Sequence, residues 1–379
     1  MKITLKNTPE QIELVKAMAS RNRDVAYEAQ TALAEFIGPV LAEVINQAPV
    51  LSNLFTTLQY NADDNPSIPL DLYYDVADED YVQVFSQSRA GGLPTSEVLP
   101  TSSELKIATY SLDSAVSFDR RYAAKSRMDV VAKTMTRVAQ EILAKQNSIS
   151  ANVVMSALAN ASTVQAGGAV SHLLASATQG KFSLADLNAI MTKSKRIVTS
   201  FSGGTPDAAR GKGVTDIMVS PEIVESLRAI AYQPIYADST AGAVPNASVI
   251  AEEAYSAAGS PSFYGINVIE LNEMGKGHKF NKTFGAAATA AGISPAHGEA
   301  ATPGTPTSFV EGSDELVLGI DRSRESLVRP VAVDAENGGE FNLIADDQYS
   351  IRQSKIGYFG SLEEGRIVLD NRALVGVVV

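Results

Sequence analysis

The stretch Tyr122–Asn160, YAAKSRMDVVAKTMTRVAQEILAKQNSISANVVMSALAN, decides how the rest of the chain is read. Neither Gly nor Pro occurs between Pro100 and Gly167, and either would punctuate a helix. Met128, Val131, Met135, Val138, Ile142 and Ile149 recur at helical spacing, which places them on one face. The pattern predicts a single helix of roughly 35 residues, on the order of 50 Å long at 1.5 Å per residue, about the width of a compact domain. Such a helix acts as a spine.

The same region is basic. Arg120, Arg121, Lys125, Arg127, Lys133, Arg137 and Lys145 are opposed only by Asp129 and Glu141, so the local balance is seven cations against two carboxylates. The formal net charge of the 379-residue chain is −12, which makes the segment an exception to its surroundings. Two readings are open: a solvated helix face, or a face turned towards a polyanion.

Working outward, 45% hydrophobic and 20% charged residues describe an ordinary folded protein able to bury one large core or two modest ones. A pI near 4.9 argues against a dedicated DNA-binding protein. The absence of cysteine excludes disulfides, thiolate nucleophiles and Cys-ligated metals. MKITLKNTPEQ is too polar for a signal peptide, and no apolar run approaches a membrane span, so a soluble protein made in the cytoplasm is expected.

Thr8-Pro9-Glu10-Gln11 reads as a capped helix start. A second helix, about Ala26–Ile37, is expected to stop at Gly38, and Pro39 to open a third. Residues 1–50 thus read as an arm of short helices with broken joints, too poor in large apolar side chains to fold alone. From Leu58 to Phe118 strand patterns flank the turn cluster Ser88-Arg89-Ala90-Gly91-Gly92-Leu93-Pro94, giving a long hairpin that leads into the spine. After the spine, Ala161–Gly180 reads as a small-residue linker. A mixed helix and strand region follows over roughly 180–340, with a helix capped by Ser183 and Asp186, a strand at Val214–Val219 and a helix opened by Ser220-Pro221. Phe263–Leu271 and Glu315–Ile320 supply further strands, and Ser202–Gly213 and Gly285–Gly312 read as loops. Strand patterns return at the end, where Ala373–Val379 is apolar on both faces, as a buried strand requires.

Chemistry-bearing motifs are scarce. Gly204–Lys212, GTPDAARGK, has six residues between its glycines where a phosphate loop needs four, and Gly213 stands where Ser or Thr should bind magnesium. Gly275-Lys276-Gly277-His278-Lys279 reads as a basic surface turn. His172, His278 and His297 fall in loop-like contexts without a ligand partner at metal spacing, and are expected to be exposed. The acidic run Asp75, Asp78, Glu79, Asp80 lacks the glycine and spacing of a calcium loop. No Gly-x-Ser-x-Gly elbow occurs. Neither a catalytic constellation nor a cofactor or metal site is expected.

In the order of these elements the chain resembles the major capsid proteins of tailed bacteriophages, which share the Hong Kong 97-type fold with encapsulin nanocompartments. Ala48-Pro49-Val50-Leu51-Ser52-Asn53-Leu54, Gly91-Gly92-Leu93-Pro94, Val214–Leu227 and Ile351–Leu374 carry the resemblance. It implies an α+β fold with an N-terminal arm (1–57), an E-loop hairpin (58–118), a P-domain containing the spine helix (119–180), an A-domain (181–340) and C-terminal strands returning to the P-domain (341–379). It implies a non-enzymatic protein that self-assembles into pentamers and hexamers of an icosahedral shell enclosing double-stranded DNA. The location would be the virion capsid, assembled in the host cytoplasm without membrane contact.

The hairpin tip, Ser88, Arg89, Gly91, Gly92, Leu93 and Pro94, would contact a neighbouring subunit. Arg120, Arg121, Lys125, Arg127, Lys133 and Arg137 would face packaged DNA by non-specific contacts. Some members cross-link through an E-loop lysine, but the only lysine between Leu58 and Phe118 is Lys106, far from the tip, so no covalent cross-link is expected. Some members lose a long N-terminal segment to a protease. An arm this short suggests no such processing, and a separate scaffolding protein, a portal and a decoration protein are the expected partners. The alternatives are an encapsulin-type shell around a protein cargo, and a soluble hydrolase or binding protein.

Overall fold

The spine is built in two pieces. Asp119 accepts a hydrogen bond from the Arg121 backbone and starts a short helix, Arg120–Ala124. Ser126, at φ 50°, then closes it: Ser126 N bonds Ala123 O, and Arg127 N bonds Tyr122 O. These two bonds form a Schellman end with serine where glycine usually stands. The long helix starts afresh at Met128 and runs 32 residues to Ala159. The expected single helix from Tyr122 is thus corrected by one local motif, invisible because no glycine marks it.

The computed structural model describes residues 8–46, 48, 50–61, 66–69, 104–165, 168–176, 180–197, 213–232, 262–263, 265–292, 309–333, 340–346 and 353–379. In chain order the helices are α1 (Pro9–Met18), α2 (Arg23–Asn46), α3 (Arg120–Ala124), α4 (Met128–Ala159), α5 (Leu184–Ile197), α6 (Pro221–Tyr232) and α7 (Lys279–Ala291). The strands are β1 (Thr56–Asn61), β2 (Ser67–Pro69), β3 (Glu104–Lys106), β4 (Thr109–Asp119), β5 (Ser162–Gln165), β6 (Gly168–Ser171), β7 (Leu173–Ala175), β8 (Asp216–Val219), β9 (Ser262–Phe263), β10 (Ile266–Glu270), β11 (Leu316–Ile320), β12 (Leu327–Val333), β13 (Asn342–Asp346), β14 (Lys355–Gly365), β15 (Ile367–Val368) and β16 (Leu374–Val378). The fold class is α+β, as expected. The chain divides into two compact units, one of residues 1–68, 106–150 and 328–367, the other of 69–105, 151–327 and 368–379.

In the first unit, β14 is the axis of a sheet. It pairs antiparallel with β4 over its whole length, from Lys355↔Asp119 to Gly365↔Thr109, and with β13 over Gly357–Ser361. At its far end Glu364 pairs with Val331 of β12, which in turn pairs parallel with β1. Alternation gives the sheet one covered face, with Leu112, Phe118, Ile356, Tyr358, Leu362, Leu343 and Ala345 buried. The α4 stripe of Val131, Met135, Val138 and Ile142 shares that core. Fully burying each such side chain contributes about 1.5–3 kcal/mol. The tail strands therefore cover the spine's apolar face, as the sequence pattern suggests.

The arm corrects a second expectation. Helix α2 runs unbroken through Gly38-Pro39. Leu33, Ala34, Ile37, Leu41 and Ile45 form one buried stripe in the same core, and this packing outweighs the hydrogen bond lost at Pro39, which lies on the exposed side. A Cβ added at Gly38 would meet Leu343 Cβ and Phe341 O at 3.9 Å, an ordinary contact distance, so space does not demand glycine there. Gly360 is different. It lies between Leu343 and Ser114 in the sheet, and a Cβ there would collide with the Phe341 ring. Gly360→Ala should lower stability by about 1–3 kcal/mol through overpacking. Urea unfolding of the variant checks this, and adding Phe341→Leu should recover part of the loss.

In the second unit a sheet ordered β7-β16-β11-β8-β10-β9 carries the core. β8 and β11 are buried at every position, as is the C-terminal β16, matching its two-sided apolar sequence. Leu187 and Ile190 of α5 and Ile223, Val224 and Leu227 of α6 pack into this core. Ser183 and Asp186 cap α5 reciprocally, with Asp186 Oδ2 2.8 Å from Ser183 N. Two expectations change. The supposed linker Ala161–Gly180 holds β5, β6 and β7, and the supposed loop from Gly285 lies within α7 as far as Ala291. Gly292, at φ 65°, ends that helix.

Candidate functional site

Glu364 lies on the inward side of β14, continuing the alternation Ile356, Tyr358, Gly360, Leu362, and is fully buried. Its carboxylate accepts from Arg329 Nε at 2.6 Å, Tyr110 OH at 2.9 Å, Gln146 Nε2 at 3.0 Å and Arg366 at 3.1–3.2 Å. Arg329 also reaches Asn46 Oδ1 at 3.2 Å, and Arg366 reaches the Ser52 carbonyl at 3.1 Å while lying over the Phe55 ring. One buried carboxylate thus gathers the end of the arm (Asn46, Ser52), the returning strand (Tyr110), the spine (Gln146), β12 (Arg329) and the tail (Arg366). Burial, and then Glu364, raise the Tyr110 hydroxyl well above its ordinary pKa, so it stays a donor.

This polar clamp was not among the expected sites. The signal was present: Gln146 falls in the gap between Ile142 and Ile149 on the spine's apolar stripe, and Glu364 shares parity with the buried residues of β14.

The expected DNA-facing residues divide. Arg121, Lys125, Arg127, Lys133 and Arg137 are exposed. Arg121 lies 3.9 Å from Asp119, Arg127 lies 3.9 Å from Asp129, and Arg137 pairs with Glu141 at 2.9 Å. Arg120 is turned aside: its Nε and Nη2 donate to Ala19 O at 3.2 and 3.1 Å, closing the C-terminus of α1. The tip residues Ser88, Arg89, Gly91, Gly92, Leu93 and Pro94 lie outside the described residues, as do His297, the 204–212 glycine segment and the 75–80 acidic run. Strands β2 and β3, which flank the expected hairpin in sequence, pair with each other.

In the second unit, His172 is fully buried, against the expectation of an exposed loop histidine. Its Nδ1 lies 3.1 Å from both Asn371 O and Leu374 O, so the proton sits there and is shared by two carbonyls. Burial lowers its pKa and keeps the ring neutral. His278 is exposed, in the expected turn ahead of α7.

Glu315 is buried and accepts from Ser220 Oγ, which also caps α6 by accepting from Ile223 N. Burial, then repulsion from Glu222, push the Glu315 carboxyl up to about 7, with Lys276 opposing. The folded pKa lies above the unfolded value of 4.5, so stability is greatest where both states are protonated. It falls as pH rises from 4.5 to about 7, where the unfolded state loses its proton first. Glu315→Gln should remove this slope. Its unfolding midpoint should match the parent at pH 4.5 and exceed it increasingly towards pH 8, as followed by thermal melts across that range.

Among the described residues no group of three or more His, Cys, Asp or Glu could hold a metal ion, and no helix is long and apolar enough to cross a membrane. The buried polar groups are arranged to bind one another, which fixes segments of chain together.

No protein-family model matches this sequence, and no curated protein matches it. Among solved structures the chain is similar to the capsid of an empty GTA particle, with 12% identity and a TM-score of 0.47, over 88% of this chain and 90% of that one. It is similar to the head of Helicobacter pylori bacteriophage KHP40, with 10% identity and a TM-score of 0.43, over 85% and 86% of the two chains. The holo-SrpI encapsulin complex from Synechococcus elongatus is a third, with 12% identity and a TM-score of 0.41, over 86% and 85%. Each of these three similarities extends over most of both chains.

Proposed function

We propose that the chain is a major capsid protein of the Hong Kong 97-type, a subunit that assembles with copies of itself into pentamers and hexamers of an icosahedral shell around double-stranded DNA. The observation that carries this reading is the sheet of the first unit. Strands leaving the arm (β1), returning from the hairpin (β4) and closing the tail (β14) converge on it, and its covered face shares one core with the spine. An outgoing hairpin on such a base can reach a neighbouring subunit while its own sheet stays intact. The boundaries 1–57, 58–118, 119–180, 181–340 and 341–379 are proposed as arm, E-loop, P-domain, A-domain and returning strands.

Lys106 lies at the hairpin base in β3, which supports assembly without covalent cross-links through an E-loop lysine. Many weak repeated contacts then hold the shell by avidity. A separate scaffolding protein, a portal and a decoration protein complete the proposed partner set. The virion is the proposed location, with assembly in the host cytoplasm. Electron microscopy of the expressed chain, with and without its genomic neighbours, tests the reading. Closed particles tens of nanometres across that contain DNA are expected. A small discrete oligomer under all conditions would overturn the shell, and an enzyme cargo in place of DNA would assign an encapsulin-type container.

A further inference from the structure

Where α1 ends and α2 begins, the first unit holds a notch of about 150 Å³. That is about five times the volume of a liquid water molecule. Arg21, Arg23, Arg120 and Lys355 line it together with Tyr27 and Gln30, and no carboxylate does. The cations come from three separate stretches of chain: the turn into α2, the start of α3 and the start of β14. Arg23, Tyr27 and Gln30 follow helical spacing along one face of α2.

Two features make this more than a cluster of surface charge. Gln30 is 4% exposed and lines the notch, yet its side chain makes no hydrogen bond among the described residues. The amide therefore opens onto the notch, where a ligand oxygen can accept from it. Moreover, neither Arg21 nor Lys355 forms an ion pair among the described residues, so these two charges are not neutralised there. Asp119, the strand partner of Lys355, accepts from the Arg121 backbone and lies 3.9 Å from the Arg121 guanidinium. Asp24, in the first turn of α2, is exposed and outside the lining.

We propose that this notch binds a phosphate group. A tetrahedral oxyanion has room here, the Arg21 guanidinium supplies paired donors to it, the Lys355 ammonium a charged one and the Gln30 amide a neutral one. The ligand is inorganic phosphate or a phosphodiester of nucleic acid; both present the same oxygens. The site stands apart from the exposed spine face, since Arg120 alone belongs to both descriptions, and it holds whether or not the chain forms a shell.

The test uses the purified full-length chain at constant ionic strength, with sodium phosphate replacing chloride and binding read by titration calorimetry and thermal shift. Saturable binding is expected, with a rise in the unfolding midpoint. Arg21→Gln with Lys355→Gln should weaken it at least about tenfold, as should Gln30→Leu, which keeps an apolar side chain in place of the amide. Circular dichroism of each variant establishes that it is folded. Competition by a short DNA duplex, lost in the same variants, would identify the phosphodiester as the source. Phosphate binding without duplex competition would identify the free ion. No binding above chloride, or equal binding by folded variants, would overturn the site.

Discussion

Glu364→Ala should destabilise the chain by about 3–5 kcal/mol, because it strips the counter-charge from two arginines that cannot reach water. Arg329 and Arg366 are 4% and 7% exposed, and both depend on the lost carboxylate. The effect comes from what remains, since two buried cations keep only neutral partners, Asn46 for Arg329 and the Ser52 carbonyl and Phe55 ring for Arg366, among the described residues. Removing a single neutral donor is different in kind. Gln146→Leu should cost only about 0.5–1.5 kcal/mol, the ordinary net value of one hydrogen bond. Urea unfolding of the two variants measures the contrast, and a Glu364→Ala loss no larger than that of Gln146→Leu would show that the arginines find other partners. Replacing Glu364, Arg329 and Arg366 together by apolar residues should recover much of the loss. The clamp's role is then specificity: it fixes which segments meet, and an apolar core could be as stable without fixing them.

Elements whose signal is periodicity were legible in the sequence. The α4 stripe, the alternation of β14 and the two-sided apolar β16 all follow from side chains that must be buried on a fixed repeat. What failed was punctuation. Gly38-Pro39 reads as a stop, yet α2 continues because its buried stripe spans the pair. Ser126 reads as nothing, yet it ends α3 in a left-handed turn. Local propensities are worth about 1 kcal/mol or less for ordinary residues and about 3 for proline, so packing decides the outcome. His172 and Glu364 show a parallel limit. A buried polar residue is revealed by its partners, and apart from Arg366, two residues from Glu364, those lie 199–202 and 35–254 residues away along the chain.

If the chain forms the proposed DNA-filled shell, replacing Arg121, Lys125, Arg127, Lys133 and Arg137 together by Gln should leave assembly intact and sharply reduce DNA retention. All five are exposed, so each substitution should change stability by no more than about 0.5 kcal/mol. The Arg137–Glu141 pair, with both side chains more than half exposed, adds little beyond this. Arg120 is excluded from the set because it closes α1, and its loss would confound folding with binding. Affinity for a polyanion behaves differently from stability, because each phosphate contact removed lowers the logarithmic salt slope by about 0.9. Contacts too weak to matter singly then multiply along a packaged duplex. The measurement is DNA released from purified particles as salt is raised, compared with the parent. Early release and a shallower salt dependence are expected. If particles of normal yield hold DNA as firmly as before, the spine's basic face is a solvated surface, and the proposed shell would confine DNA by enclosure alone.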